Sequence, residues 1–136
     1  MGYRSTVAYT IRFVGDDDTK AKQSFYTFIA EAKAKEKTAL CFSEEEAEYL
    51  KVDEKKLSLY FFADHVKWYE SYAGVACHEA LMQLSKDWVD DSENDCIGGV
   101  FARIGEDMED NIEECWGQGD YQWISVNRYM YCDWLE

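Results

Sequence analysis

The stretch YRSTVAYTIRF, residues 3–13, alternates between two kinds of side chain and decides the expected fold. One series is Tyr3, Val7, Tyr9, Ile11 and Phe13, and the other is Arg4, Thr6, Thr10 and Arg12. Successive side chains of a β-strand point to opposite faces of the sheet, so the alternation predicts a half-buried strand. We therefore expect a sheet that packs one face against a core.

Two amphipathic helices are predicted after this strand. The turn sequence GDDDT provides a helix cap at Asp18 or Thr19, and a helix over residues 19–36 buries the stripe Phe25, Phe28, Ile29 and Ala32. A second helix over about residues 70–90 buries the stripe Ala73, Cys77, Leu81, Leu84 and Trp88.

Further strands are predicted between and after the helices. Residues 57–65 alternate with apolar side chains on both faces, and residues 96–104 contain Gly98 and Gly99, which indicate a bulge or a close backbone approach. Residues 121–132 are expected to form the last strand. For residues 38–55, Ser43 with Glu46 is typical of a helix capping box, but we expect a strand or irregular edge near residues 47–52.

The resulting order β-α-β-β-α-β-β predicts an α+β fold. We expect one domain over residues 1–136, with an antiparallel sheet of four to five strands and two helices on one face, a ferredoxin-like sandwich. The 136 residues include 47% hydrophobic ones and no proline, which is typical of a globular chain. The longest apolar run covers only residues 59–63, so no membrane span is expected.

Five cysteines occur at wide spacings, and no C-x-x-C pair is present. An odd number of widely spaced cysteines favours reduced thiols in a cytosol, most of them buried as small apolar side chains. The N-terminus has no basic region followed by an apolar segment, so no signal peptide is expected.

Three segments carry a resemblance to a group of proteins: MGYRS at the start, HVKWYESY at residues 65–72 and RIGEDMEDNIEE at residues 103–114. The chain resembles small bacteriophage and prophage proteins that begin Gly-Tyr-Arg-Ser and carry Val-Lys-Trp-Tyr and Arg-x-Gly-Glu-Asp segments. The resemblance implies a phage origin and a bacterial host cytoplasm. It implies no catalytic residues.

Motifs for zinc and calcium fail at diagnostic positions. His78 and Glu79 begin an H-E-x-x-H zinc motif, but Met82 stands where the second histidine is needed. A site that recruits Cys77 and His65 stays possible, although we expect His78 on the helix surface beside a buried Cys77. A calcium loop counted from Asp91 has cysteine in place of its glycine and alanine in place of its last glutamate.

No nucleophile elbow, P-loop or dinucleotide motif is present, so the sequence favours a protein that is not an enzyme. An enzyme would have to use His65 or His78, the two histidines. We expect no catalytic residues, no cofactor and no metal, although a loose magnesium or calcium site among the acidic residues stays open.

The negative charge is concentrated in the second half of the chain. Residues 1–68 contain 12 acidic and 11 basic residues, whereas residues 69–136 contain 16 acidic and 3 basic ones. Within this half, ARIGEDMEDNIEECWGQGDYQW, residues 102–123, has seven carboxylates and one arginine. Solubility is one explanation, and a recognition surface is the other.

The recognition hypothesis is a small acidic phage-type protein that mimics nucleic acid. It would inhibit a basic host protein that normally binds nucleic acid, such as a defence protein or CRISPR effector, while direct nucleic-acid binding is not expected. Trp116, Tyr121 and Trp123 flank the acids and could act as aromatic anchors or as core residues. The predicted partner-binding residues are Asp87, Asp90, Asp91, Glu93, Asp95, Glu106, Asp107, Glu109, Asp110, Glu113, Glu114, Trp116 and Asp120.

Two alternatives from other classes remain. A small-molecule or nucleotide-binding protein would use an aromatic pocket around Tyr9, Tyr60, Trp68 and Tyr129. An accessory phage protein without an inhibitory role would need the acids only for solubility. The sequence leaves open whether the acids before and after residues 96–104 form one surface or two.

Overall fold

The computed structural model describes residues 3–15, 18–69, 71–91, 96–107, 110–126 and 130–135. The larger elements are the strands and helices β1 (Ser5–Phe13), α1 (Asp18–Ala34), α2 (Glu36–Ala39), β2 (Leu50–Asp53), β3 (Ser58–Val66), α3 (Ala73–Asp90), β4 (Ile97–Ile104), β5 (Asn111–Gly117), β6 (Ile124–Val126) and β7 (Met130–Cys132). Two 3-10 helices, Leu40–Phe42 and Tyr121–Trp123, precede β2 and β6. The chain is an α+β protein.

The main sheet has five antiparallel strands in the order β2-β3-β1-β4-β5. The predicted first strand lies in its centre, where Tyr9 pairs with Phe61 of β3 on one side and with Phe101 of β4 on the other. β6 and β7 form a separate antiparallel pair. The centre of the sheet is therefore built around the alternating stretch, and β2 and β5 form its two edges.

Two core clusters lie on the two faces of β1. The larger one joins Val7, Tyr9, Ile11 and Phe13 to buried side chains of α1 and α3, among them Phe25, Phe28 and Leu81. The smaller one contains Ala8 together with Val100, Ala102, Ile124 and Cys132. Because residues of β6 and β7 pack into the second cluster, the sheet is buried on both faces and not on one only.

The structure confirms the central elements and corrects the last ones. α1, β3, α3 and β4 occupy the predicted ranges to within a few residues, and β2 is the short edge strand expected near residues 47–52. The prediction of one strand over residues 121–132 is wrong, because a 3-10 helix and the pair β6–β7 lie there. The acidic stretch before it is not only a connection, since it contains β5.

β5 escaped prediction because Glu113 and Glu114 interrupt its alternation. Trp116 nevertheless packs against the larger core cluster, directly opposite Gly99 of β4. A Cβ at Gly99 would lie 2.6 Å from Trp116 Nε1, so the glycine provides the close approach that its sequence position suggested. Packing against β4 therefore stabilises β5, although the sequence of β5 does not have the alternating pattern of a strand.

Residues 36–49 connect α1 to β2 through α2, a 3-10 helix and turns. Ser43 does not cap a regular helix, and its carbonyl oxygen accepts bonds from the backbone N–H groups of Glu46 and Ala47. This segment contacts α3 through α2 and through the 3-10 helix that carries Cys41. Within the described residues, no helix has both the length and the apolar character needed to cross a bilayer.

Candidate functional site

Most of the predicted partner-binding acids lie on or beside β5. We use the name acidic edge for Glu106, Asp107, Asp110, Glu113, Glu114 and Asp120. β5 is an outer strand of the sheet, and its start follows the acids of residues 106–110 while its end precedes Asp120. The strand thus links acids that the sequence could assign only to a connection between strands.

The C-terminal end of α3 lies close to the same edge. Lys86 Nζ is 2.9 Å from Glu114 Oε2, and a Cβ at Gly117 would lie 2.7 Å from Val89 Cγ2. The last turns of α3 therefore contact β5, and Asp87, Asp90 and Asp91, which lie in or directly after these turns, are exposed. The predicted residues Glu93, Asp95 and Glu109 lie outside the described residues.

Some acids of this edge are held by internal contacts. The Tyr3 hydroxyl donates to Asp110 Oδ2 at 2.6 Å, and Arg103 Nη2 donates to Asp110 Oδ1 at 3.2 Å. These contacts, the Tyr3 hydrogen bond above all, lower the pKa of Asp110. The backbone N–H of Arg4 donates to Glu106 Oε1 at 2.7 Å. The loop between β4 and β5 is thereby fastened to the N-terminal segment.

Other acids of the edge face solvent. Asp107, Glu113 and Asp120 are exposed, and none of them forms an ion pair with a cation of the described residues. Asp120 accepts a bond from the backbone N–H of Gln122, which caps the second 3-10 helix. These three carboxylates are available to a partner.

The flanking aromatic residues divide between packing and exposure. Trp116 is half-buried against the core, and its Nε1 donates to Ser85 Oγ at 2.8 Å. Trp123 packs beside the smaller core cluster and lies 4.4 Å from the guanidinium of Arg12. Tyr121 is 55% exposed. Tyr121 is therefore the flanking aromatic residue that a partner can reach most readily.

A second polar region lies inside the protein and was missed by sequence reasoning. We use the name Cys-His cluster for Cys41, Cys77 and His78, which are at most 2% exposed. One donor atom from each residue lies within 4.8 Å of the others. Among the described residues, these three could hold a metal ion together. The site considered from the sequence paired Cys77 with His65, and the structure instead brings Cys77 together with Cys41 and His78.

The expectation that His78 lies on the helix surface is wrong, because its side chain is 1% exposed. Val75, Leu81 and Met82 lie three or four residues away on the buried side of α3, so helical spacing places His78 among them. Its ring lies 4.4 Å from that of Phe61, and its Nδ1 is 2.5 Å from the Tyr9 hydroxyl. The helical spacing of His78 from Val75, Leu81 and Met82 is the feature of the sequence that indicates its burial.

Burial of His78 and a hydrogen bond between the two thiols control the protonation of the cluster. It lowers the pKa of His78 to about 4, so the ring is neutral at physiological pH. A hydrogen bond between the two thiols lowers the pKa of Cys77 and raises that of Cys41, which burial raises further. A neutral imidazole and an easily ionised thiol are good metal ligands.

Glu46 closes the cluster on the side of the segment 36–49. Its Oε2 lies 3.5 Å from His78 Nε2, and its side chain is 17% exposed. A Cβ at Gly74 would lie 2.8 Å from Glu46 Oε1, so the carboxylate rests against the first turn of α3. Burial, followed by the charge of Glu45, raises the pKa of Glu46. A carboxylate therefore stands between the cluster and solvent.

The aromatic pocket expected for a small ligand is not formed by the predicted residues. Tyr9 points into the larger core cluster, whereas Tyr60, opposite Thr10, stacks on Trp134 with ring centroids 4.9 Å apart. Trp68 lies beside Phe61, on the side of Tyr9. Tyr129 lies outside the described residues. Tyr9 and Tyr60 thus face opposite sides of the sheet and cannot line one pocket.

The molecule presents two chemically distinct regions, an exposed acidic edge and a buried Cys-His cluster. His65, the other histidine, is exposed at the end of β3. No protein-family model, curated protein or solved structure matches this chain.

Proposed function

We propose that this protein binds a basic protein that normally holds nucleic acid, and that it competes with the nucleic acid through the acidic edge. One observation carries the proposal: β5 lies at the edge of the sheet, carries Glu113 and Glu114, and stands between Asp110 and Asp120 in the chain. Grooves that bind nucleic acid present Lys and Arg to phosphates, and such grooves also attract an array of carboxylates. The partner proposed is a host factor, such as a defence protein, and the effect is inhibition.

The internal contacts of the edge support binding by a preformed surface. Tyr3 and Arg103 hold Asp110, and Lys86 holds Glu114, so part of the acidic loop and strand is fixed before any partner arrives. A surface that is already ordered loses less conformational entropy on association. The exposed acids Asp107 and Glu113 then provide the charges that meet the partner.

The net charge of −14 supports fast, salt-sensitive association with a basic groove. Net charge has a second use, because a charge far from zero keeps a protein soluble and prevents its aggregation. The two uses differ in one respect. Protection against aggregation needs only charge, whereas competition with nucleic acid needs charge at the β5 side of the molecule.

A pair of variants with equal net charge separates these uses. The test variant combines Asp107→Asn, Glu113→Gln and Asp120→Asn, and the control combines Glu44→Gln, Glu48→Gln and Glu54→Gln, all exposed positions. Proteins retained from a bacterial lysate at physiological salt are identified, and release by an added oligonucleotide is measured for each. We expect the test variant to lose at least about tenfold in affinity and the control to keep its partner.

Equal losses in the two variants would show that net charge alone matters and would contradict the proposal. Retention that an oligonucleotide cannot reverse would also contradict it, since the partner would then not use its nucleic-acid groove. An accessory protein with no inhibitory role predicts that neither variant changes any specific retention.

We also propose the ferredoxin-like arrangement for the fold, with both long helices on the face of the sheet that bears Tyr9. The order β2-β3-β1-β4 supports it, because β1 lies between β3 and β4 and every neighbouring pair is antiparallel. Side chains from α1 and α3 in one core cluster with Tyr9 support it too. An experimental structure tests this placement.

A further inference from the structure

We propose that Cys41, Cys77 and His78 bind one zinc ion, with the carboxylate of Glu46 as the fourth ligand. The Cys-His cluster offers two thiols and one imidazole, which together with a carboxylate are donors that zinc prefers. Three of the four residues are almost completely buried. The site is separate from the acidic edge and does not depend on the function proposed for that edge.

The donor atoms of Cys41, Cys77 and His78 lie close enough together to reach one tetrahedral ion after small side-chain movements. Zinc–sulfur bonds of about 2.3 Å and zinc–nitrogen bonds of about 2.0 Å place the ligand atoms of a tetrahedral site about 3.4 to 3.8 Å apart. The donors of Cys41, Cys77 and His78 lie within 4.8 Å of one another. Glu46 Oε2 is 3.5 Å from His78 Nε2, but Glu46 is not in the group whose donors all lie within 4.8 Å, so its carboxylate has to move towards the thiols to complete the tetrahedron.

The surroundings of His78 leave one ring nitrogen for a metal. Nδ1 is 2.5 Å from the Tyr9 hydroxyl oxygen. Nε2 is buried and has no hydrogen-bond partner among the described residues, although it faces Glu46. Metal-binding histidines usually use their second nitrogen in a hydrogen bond that orients the ring. Here Tyr9 takes that role when Nδ1–H donates to its hydroxyl oxygen, and Nε2 then presents a lone pair.

The position of the site suggests a structural role for the ion. Cys41 and Glu46 belong to the segment 36–49, which consists of short helical turns, whereas Cys77 and His78 belong to α3. An ion bound by both would fasten this segment to the long helix. Binding displaces the protons of the two thiols to solvent, so affinity should increase as the pH rises.

The chain provides matched controls for the ligands. Cys96 and Cys132 are buried cysteines outside the cluster, and His65 is an exposed histidine. His65 has a φ of 58°, a backbone conformation that asparagine tolerates, so His65→Asn should leave the backbone unchanged. Glu46→Gln alters a partly exposed ligand and is expected to fold even if a cysteine variant does not.

The experiment uses the full chain, reduced and stripped with a chelator, and adds Zn²⁺ or Co²⁺ alone. We expect one ion per chain, a thiolate-to-cobalt charge-transfer band with tetrahedral visible bands, and a higher unfolding temperature with Zn²⁺. Cys77→Ser and His78→Asn should lower zinc affinity by more than about 100-fold, and Glu46→Gln should lower it by about 10-fold or more. Cys132→Ser and His65→Asn should bind as the parent does.

Absence of the cobalt charge-transfer band in the folded parent would overturn the proposal, because the cluster would then be a closed hydrogen-bonded group. Equal affinity in Glu46→Gln and the parent would remove Glu46 from the ligand set. Equal affinity in Cys77→Ser and Cys132→Ser would place any bound ion elsewhere. If Cys77→Ser fails to fold, the cobalt spectra of Glu46→Gln and Cys132→Ser decide, and identical spectra in these two overturn the fourth ligand.

Discussion

The Cys-His cluster and the acidic edge use polar groups in opposite ways. The cluster gathers a few groups in a region that is at most 2% exposed, where each affects its neighbours strongly over a few ångströms. The edge spreads many carboxylates over an exposed strand, where water and salt screen each pair. Changes to the cluster should therefore act on stability, and changes to the edge should act on association and on its salt dependence.

The largest effect is expected from removing the buried ring. His78→Ala leaves a cavity beside Phe61 and deprives the Tyr9 hydroxyl of its partner. We expect a loss of about 4 kcal/mol in the free energy of unfolding of the metal-free protein, measured by chemical denaturation.

The other histidine provides the control for this variant. His65 is exposed at the end of β3, and His65→Asn should change the same free energy by no more than about 0.5 kcal/mol. Similar losses for the two variants would mean that the burial of His78 does not distinguish it.

A pH dependence of nearly the same size follows from the neutral state of His78. Its pKa is about 4 in the folded protein, compared with 6.5 for the ordinary group, so the unfolded chain binds more protons between these values. Stability is then complete above pH 6.5 and is lost as the pH falls towards 4, by about 3 kcal/mol in total. The measurement compares metal-free parent and His78→Asn at each pH, and only the parent should lose this contribution.

Other titratable groups face His78, and their contributions to the pH dependence of stability must be distinguished from that of His78. Tyr9 comes from β1, Cys41 from the first 3-10 helix, Glu46 from the following turns and Cys77 from α3. The pKa of Glu46 is raised, so its contribution has the opposite sign and is lost as the pH rises. The same comparison in a Glu46→Gln background should show the steeper loss at low pH. If the free energy of unfolding depends on pH with the same slope in this background, Glu46 does not contribute to the pH dependence.

The sequence predicted the elements whose pattern is local. Residues 3–13 alternate, and Ser5–Phe13 form the central strand β1, in which Val7, Tyr9, Ile11 and Phe13 are buried as expected, whereas Tyr3 lies before the strand and is only partly buried. α3 was also predicted, yet His78 was assigned to its surface beside a buried Cys77. Burial of a polar side chain depends on partners from elsewhere in the chain, here Tyr9 and Phe61.

The candidate sites show the same division. The charge count located the acidic stretch. Part of that stretch forms the edge strand β5 because Trp116 packs against Gly99 of β4, and the sequence alone does not reveal this contact. The Cys-His cluster has no motif, because Cys41 and Cys77 are separated by β2 and β3. Only the folded chain brings these thiols together.

A moderate effect is expected from crowding the contact that holds β5. Gly99→Ala places a methyl group against the Trp116 ring and disturbs the bond from Trp116 Nε1 to Ser85. We expect a loss of about 2 kcal/mol in the free energy of unfolding and weaker partner retention by the acidic edge. The added variant Trp116→Phe should recover part of the loss. Full additivity of the two changes would indicate that the ring and the glycine do not interact.

The smallest effect is expected from releasing the acidic loop without changing its charge. Tyr3→Phe removes the hydroxyl that donates to Asp110 Oδ2 and accepts from the backbone N–H of Asp107. The pKa of Asp110 should rise, because the Tyr3 hydrogen bond is the main cause of its lowered value and Arg103 contributes less. An NMR titration of the Asp110 carboxyl measures this rise. The free energy of unfolding should fall by less than it does in Gly99→Ala.

Measurements of partner binding show whether the fixed geometry of the acidic edge contributes to affinity. If the fixed positions of Glu106, Asp107 and Asp110 matter, Tyr3→Phe should weaken retention although the net charge stays at −14. The weakening should persist at raised salt because order, unlike charge, is not screened. Arg103→Gln also removes a contact to Asp110, but it makes the flank more negative. The two variants should therefore change the salt dependence differently. Identical salt dependence would show that the edge acts through charge alone, with no contribution from its fixed geometry.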